Sequence, residues 1–170
     1  MILSKYGDRD NFLKIVTPQT QASFAAKKEK AIMGDYPTLA DICRVYGKSF
    51  SRQWLYPQIA DLSMFTSSKN LNKQQQEALA AVIATEYRYL KVTELLLFFY
   101  FFKTGRYGRF YGNVDPMVVT CALRDFVKER NIFLEEYERS INNLKDELDK
   151  HNPNVVTYEE WLEMKKQQQK

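Results

Sequence analysis

The chain has 170 residues, of which 45% are hydrophobic, 14% aromatic and 27% charged. This length suits one domain with appendages, and the composition excludes a chain that is disordered throughout. The formal net charge is +4. It is unevenly spread, because residues 1–130 hold 19 Lys and Arg against 12 Asp and Glu, whereas residues 131–170 hold 6 against 9. The basic residues 1–130 could bind a polyanion, and the acidic residues 131–170 could bind a basic partner.

The residue types also argue against most catalytic and metal sites. His151 is the only histidine, so a histidine-based triad or a zinc site of several His and Cys lacks its groups. Cys43 and Cys121 lie far apart among apolar residues, which predicts buried free thiols. The glycines do not follow a phosphate-binding pattern that ends in Lys-Ser or Lys-Thr. We therefore expect a protein that is not an enzyme and has no cofactor or bound metal.

The distribution of apolar residues predicts a cytoplasmic protein without membrane contact. The N-terminus does not show the basic and then apolar pattern of a secretory leader. The most apolar stretch, Leu95–Phe102, is far shorter than the ~20 residues of a membrane-spanning helix. We expect this stretch to be a core helix.

The first half of the chain predicts a series of helices after an irregular N-terminal arm at 1–16. The Ala- and Lys-rich stretch Pro18–Met33 is typical of a helix that ends at Gly34 in the left-handed conformation. Thr38 is placed to cap the next helix, and Gly47 to end it.

The central region predicts three further helices. Pro57 must kink the first of them or start a new one, because its ring blocks a backbone hydrogen bond. The second has apolar residues at three- and four-residue steps from near Asn72 to about Tyr89. Thr93 is expected to cap the third, which contains the apolar stretch Leu95–Phe102.

The last part of the chain predicts one long helix and a short tail helix. Asp115 and Pro116 are suited to begin a helix that extends to Lys150. The spacing Thr157-Tyr-Glu-Glu160 is typical of a capping box, so a small helix is expected from Thr157 to about Lys166.

These elements together predict an all-α fold, a compact helical bundle with a long C-terminal helix and a short tail helix. The predicted division is a helical domain at 1–130, a helix extension at 131–151, and a linker with an amphipathic tail helix at 152–170.

The segment from Lys103 to Gly112 mixes cations, rings and glycines. Two interpretations are open. The cations could hold phosphates while the rings stack on unpaired bases, or the glycines could supply the turn while the rings pack on the core. The candidate nucleic-acid-binding residues are Lys103, Arg106, Tyr107, Arg109 and Tyr111.

The C-terminal residues carry two candidate protein-binding surfaces. Apolar residues alternate at three- and four-residue steps along the long helix, with Arg130 at one such position, and this pattern requires a partner helix from the same chain or a second copy. The residues in question are Leu134, Tyr137, Ile141, Leu144 and Leu148. Trp161 and Leu162 either dock in a partner's groove or fold back on their own domain.

One segment of the chain resembles known proteins. The apolar helix from Leu95, the sequence FKTGRYGRFYGNVDPMVV and the sequence LRDFVKER resemble a segment of small uncharacterised proteins from bacterial phages and mobile elements. With the Pro-Thr-Leu-Ala-Asp-Ile sequence after Tyr36, the chain is also similar to small helical replication accessory proteins that load a helicase. This resemblance implies single-stranded or duplex DNA and a replicative helicase as partners, and it implies no catalytic residue.

Two functions follow as expectations from the sequence. The first is a non-enzymatic, nucleic-acid-associated accessory protein of a phage or mobile element, with a role in DNA replication. The alternative is a helical protein-protein adaptor or a self-associating protein, such as a homodimer through the C-terminal helix, that does not bind nucleic acid.

Overall fold

A computed structural model describes residues 2–66, 71–108, 115–150, 161 and 165–167. Over these residues the chain is all-α, as predicted, with a long C-terminal helix and helical residues in the tail. The helices are α1 (Ile2–Tyr6), α2 (Arg9–Ile15), α3 (Gln21–Ala25), α4 (Lys28–Met33), α5 (Leu39–Tyr46), α6 (Phe50–Thr66), α7 (Lys73–Glu86), α8 (Val92–Lys103) and α9 (Pro116–Lys150). Contacts divide the chain into two compact units, Met1–Val127 and Lys128–Lys170. Within the described ranges, no helix is both long and apolar enough to cross a membrane.

Helix α8 forms the centre of the core of the first unit. Its residues 95–99 are fully buried, and the helix packs against α3, α4 and α6. The Phe98 ring contacts Phe126, in the first part of α9, at a centroid distance of 5.7 Å. A helix that is apolar on every side requires neighbours all round. The prediction of a core helix at Leu95–Phe102 is therefore confirmed.

The start of α5 is fixed by a capping box and by the turn between α7 and α8. The Thr38 hydroxyl accepts a hydrogen bond from the Asp41 amide at 3.1 Å, and the Asp41 carboxylate accepts one from the Thr38 amide at 3.1 Å. The Thr38 hydroxyl also donates to the Asp41 carboxylate at 2.7 Å, and this bond, with the one from the Thr38 amide, holds the pKa of Asp41 below its usual value. The Ala40 amide donates to the Arg88 carbonyl at 2.9 Å. The predicted cap at Thr38 is confirmed, and α5 is tied to the turn that carries Arg88.

Other predicted helix ends are also confirmed. Asn72 caps α7 through a capping box with Gln75. Gly47 ends α5 with a φ of 108°, a conformation that glycine adopts readily. Asp115 accepts a hydrogen bond from the Val118 amide at 2.9 Å, and α9 then runs to Lys150 as expected. Helix α7 ends at Glu86, three residues before the predicted end.

The irregular arm predicted at 1–16 is wrong, because α1 and α2 occupy most of it. Asp8 caps α2 by accepting a hydrogen bond from the Asn11 amide at 2.9 Å, and Phe12 is fully buried. Gly7, with a φ of 71°, separates the two helices. Helices of five and seven residues span at most two turns. A helical period cannot be recognised over so few residues.

The single helix predicted at Pro18–Met33 is wrong as well. A 3-10 turn at Pro18–Thr20 and the separate helices α3 and α4 replace it. Gly34 is extended, with a φ of −60° and a ψ of 155°, so its predicted left-handed conformation is wrong. A Cβ at this position would meet the Lys30 carbonyl oxygen and the Tyr36 ring. Glycine therefore serves close packing here.

Two smaller expectations also fail, and of the two alternatives at Pro57 a new helix start is excluded. Thr93 lies inside α8 and donates its hydroxyl to the Ala31 carbonyl at 2.7 Å, so it is a link to α4 and not a cap. Helix α6 runs through Pro57 without a new start. Cys43 is partly exposed and Cys121 is exposed, so neither thiol is buried as predicted.

Candidate nucleic-acid interface

The residues predicted to bind nucleic acid begin at the end of α8. Arg106 is exposed, and its guanidinium lies 4.6 Å from the centroid of the Phe101 ring. Tyr107 is partly buried, and its ring centroid lies 6.0 Å from that of Phe98, so this ring packs towards the core. Arg109 and Tyr111 lie outside the described residues.

The glycines of this segment serve the turn itself. Gly105 and Gly108 have φ values of 76° and 107°, which glycine adopts readily and other residues rarely adopt. Their conformation accounts for both glycines without a ligand, in line with the structural interpretation of the segment.

Lys103 belongs to a polar cluster between helices. Its ammonium forms an ion pair with Asp61 and donates to the Gln21 side chain at 2.9 Å. Gln21 in turn donates to the buried side chain of Gln58 at 2.8 Å. The Lys103 side chain is only 16% exposed. Its observed contacts therefore link α8 to α3 and α6.

A different set of cations lines a cleft that the sequence did not predict. The cleft has a volume of about 500 Å³ and lies between α5, α6 and α7. Its lining residues are Leu39, Ala40, Cys43, Lys48, Ser51, Arg52, Ala81, Ala84, Thr85 and Arg88. Among these described residues there are three cations and no carboxylate. We call this site the basic cleft.

The local fold brings the three cations together. The positive φ of Gly47 turns the chain from α5 into α6, and the Cys43 thiol donates to the Lys48 carbonyl at 3.5 Å. Arg52 follows in the first turn of α6, so the positive end of that helix dipole lies at the same cleft. Arg88 reaches the cleft because its carbonyl accepts the hydrogen bond from Ala40.

The three side chains are available to a ligand. Lys48, Arg52 and Arg88 are exposed, and within the described part of the chain their side chains make no hydrogen bond, ion pair or ring contact. Three like charges that line one concave site without a carboxylate raise the local concentration of anions. Arg and Lys match the geometry and charge of phosphate groups as well as those of carboxylates. The basic cleft can therefore hold one or more phosphates.

Lys48 and Arg52 are four residues apart, but Arg88 is distant in sequence. No spacing along the chain links the third cation to the other two. Sequence reasoning missed the cleft because only the contact between α5 and the turn after α7 brings Arg88 to it.

The second unit carries the apolar residues predicted to bind a partner helix. Leu134, Tyr137 and Ile141 are partly exposed, and Leu144 is 58% exposed. The Phe133 and Tyr137 rings stack with their centroids 6.3 Å apart. The Leu148 side chain lies outside the description. We call Leu134, Tyr137, Ile141 and Leu144 the α9 stripe.

The tail is described at few positions. Trp161 is helical and 42% exposed, and the Lys165 ammonium lies 4.5 Å from its ring centroid. Leu162 lies outside the described residues. The structure therefore places one of the two predicted docking residues at the surface.

The fold and the cleft together define a small all-α protein with a cationic site between helices. The model of the family of unknown function DUF6633 matches residues 70–170, which is more than half of the chain. The chain belongs to this family. The match includes Arg88, the Lys103–Gly112 segment and α9, whereas Lys48 and Arg52 precede it. No curated protein and no solved structure matches the chain.

Proposed function

We propose that the chain is a non-enzymatic, nucleic-acid-associated accessory protein that holds phosphates in the basic cleft. The observation that carries this proposal is the set of three cations, Lys48, Arg52 and Arg88, which line one cleft and have no partner for their side chains among the residues that the structure describes. The resemblance of Leu95–Arg130 to phage and mobile-element proteins supports an origin in such an element. The similarity to small helical proteins that load a helicase supports a role in DNA replication in the cytoplasm of a host cell. A replicative helicase is the protein partner that this role implies.

The phosphate chemistry sets a quantitative expectation. Each phosphate contact releases counterions, so the logarithm of the binding constant falls by about 0.7 per contact for each tenfold rise in salt on a single strand. Three contacts predict a slope of about −2. Binding without such a slope would not depend on the cleft cations.

The test is fluorescence anisotropy with labelled DNA at several salt concentrations. The variant Lys48→Gln/Arg52→Gln/Arg88→Gln should bind more weakly and show a flatter salt dependence. The control Lys14→Gln/Lys27→Gln/Lys30→Gln removes the same charge from exposed residues away from the cleft. Equal loss of binding by both variants would mean that net charge alone matters. Arg106→Gln, measured beside them, tests the residue predicted from the sequence.

A second candidate function, a self-associating or adaptor protein, is favoured by the α9 stripe. Large apolar side chains in a heptad arrangement are typical of a helix that pairs with another. We expect Ile141→Asp/Leu144→Asp to abolish association in light scattering coupled to size-exclusion chromatography. The control Asn142→Asp/Asn143→Asp adds the same charge at exposed neighbouring positions and should leave association intact. A wild-type protein that is monomeric at all concentrations would exclude self-association and leave only an adaptor for a different protein.

A further inference from the structure

A second cavity adjoins the basic cleft at Arg52. This second cavity has a volume of about 640 Å³ and also lies between α6 and α7. Its lining residues are Ser49, Arg52, Gln53, Tyr56, Lys73, Glu77 and Ala80. Arg52 lines both cavities, so they are neighbours, and we call the two cavities together the α6–α7 furrow.

The two ends of the furrow differ in chemistry. The first end holds Lys48 and Arg88 without a carboxylate among its described lining residues. At the second end, Lys73 lies 3.9 Å from Glu77, which offsets its charge. Tyr56 lies at this second end. The furrow is therefore cationic at one end and contains an aromatic ring at the other.

Tyr56 is an aromatic residue without a role in the core. It is partly exposed, and within the described residues its ring contacts no other ring and its hydroxyl makes no hydrogen bond. Most of the described aromatic side chains of the first unit pack against other rings, as Phe12, Tyr46 and Phe50 do. A tyrosine at the wall of a furrow, one helical turn from Arg52, is placed for a flat ligand group.

We propose that the α6–α7 furrow binds single-stranded nucleic acid, with phosphates at Lys48, Arg52 and Arg88 and an unpaired base stacked on Tyr56. This inference rests on the proposed function and adds the kind of nucleic acid. In a duplex the bases are paired and stacked inside, so only phosphates would reach the furrow. A single strand presents both phosphates and open base faces, which is the combination that cationic and aromatic surfaces recognise. The small side chains of Ala80, Ala81 and Ala84 line the α7 side of the furrow.

The experiment compares three probes of equal length on the wild-type protein: an oligothymidylate strand, an abasic strand and a duplex. The abasic strand keeps the phosphates and lacks the bases. We expect the oligothymidylate to bind at least about five-fold more tightly than the abasic strand, because one stacked base contributes that much or more. This comparison requires no variant and does not depend on how a substitution folds.

Two variants then assign the effect to the ring. Tyr56→Leu should bring the oligothymidylate to the affinity of the abasic strand, whereas Tyr56→Phe, which keeps the ring, should retain the preference. Equal wild-type affinity for both strands, with salt-dependent binding intact, would overturn this inference and leave the proposed function standing. Absence of binding to all three probes would overturn both. A Tyr56→Leu protein that keeps the full preference would also refute the role given to Tyr56.

Discussion

Replacing Lys103 by Met should destabilise the fold and leave nucleic-acid binding nearly unchanged. The sequence suggested a phosphate contact for this residue, whereas the structure shows its ammonium between Asp61 and Gln21. Methionine preserves much of the side-chain length and removes the charge. Asp61 would then lose the cation that neutralises it, and Gln21 would lose a donor.

The size of the loss of stability depends on how exposed Lys103 and Asp61 are. A hydrogen bond to a charged group contributes about 1.5–3 kcal/mol to stability. The Asp61 side chain is 37% exposed, so water replaces part of the lost interaction. We therefore expect the lower part of that range, about 1.5–2 kcal/mol. In a protein of this size, this corresponds to a fall in Tm of roughly 3–8 °C.

The assay is urea unfolding followed by circular dichroism, with DNA binding measured on the same preparations. Arg106→Met is the matched control, because it removes a cation from an exposed residue near the end of the same helix and should cost less than about 1 kcal/mol. Adding Asp61→Leu to Lys103→Met should restore part of the stability, since no unpaired carboxylate remains. A Lys103→Met protein of wild-type stability with strongly weakened DNA binding would refute this reasoning and support the original prediction.

Three further predictions concern capping and the dependence of stability on pH. Thr38→Ala removes the cap of α5 and should lower the free energy of unfolding in urea by about 1 kcal/mol; an unchanged urea midpoint would contradict the assigned cap. The pKa of Asp41 in the folded protein is lowered from its usual value of 3.8, so the ionised carboxylate stabilises the fold above pH 3.8. This contribution disappears as the pH falls through the lower folded-state pKa. The stability difference between wild type and Asp41→Asn should therefore shrink in acid, and a constant difference in urea titrations at graded pH would argue against it. Burial raises the pKa of Tyr6 from 10.0 to about 12, so its neutral form stabilises the fold below pH 10.0 and this contribution is lost as the pH rises to about 12. Tyr6→Phe should lose less stability over that range, as measured by urea unfolding in alkaline buffers.

The sequence predicted the elements whose signals are local and strong. The cap at Thr38, the beginning of a helix near Asn72 and the first turn at Asp115 all depend on groups within a few residues. The apolar stretch Leu95–Phe102 is long enough for its burial to follow from composition alone. The 35-residue helix α9 repeats its pattern over many turns. In each case the information needed for the prediction lies inside the element.

The errors occur where side-chain packing or contacts between elements determine the conformation. Gly34 looks like a helix end with a left-handed glycine, but the ring of Tyr36 occupies the space that a Cβ would need. Thr93 looks like a cap, but its hydroxyl bonds to Ala31, which is far away in sequence. Lys103 looks like a surface cation beside a glycine-rich turn, but Asp61 lies next to it in the fold. The partners of Thr93 and Lys103 are distant in sequence, and although Tyr36 is close to Gly34, the position of its ring depends on the fold.

The same distinction explains why the sequence predicted the Lys103–Gly112 segment as the cationic site and missed the basic cleft. In the Lys103–Gly112 segment, cations and aromatic rings are adjacent in sequence, which is typical of a nucleic-acid-binding surface. In the fold, however, Lys103 and Tyr107 make contacts within the protein. In the basic cleft, Lys48, Arg52 and Arg88 come from two parts of the chain and have no protein partner among the described residues. A charged side chain can bind a ligand only if the fold has not already neutralised it. The absence of a partner in the folded chain is therefore a better guide to a phosphate site than closeness in sequence.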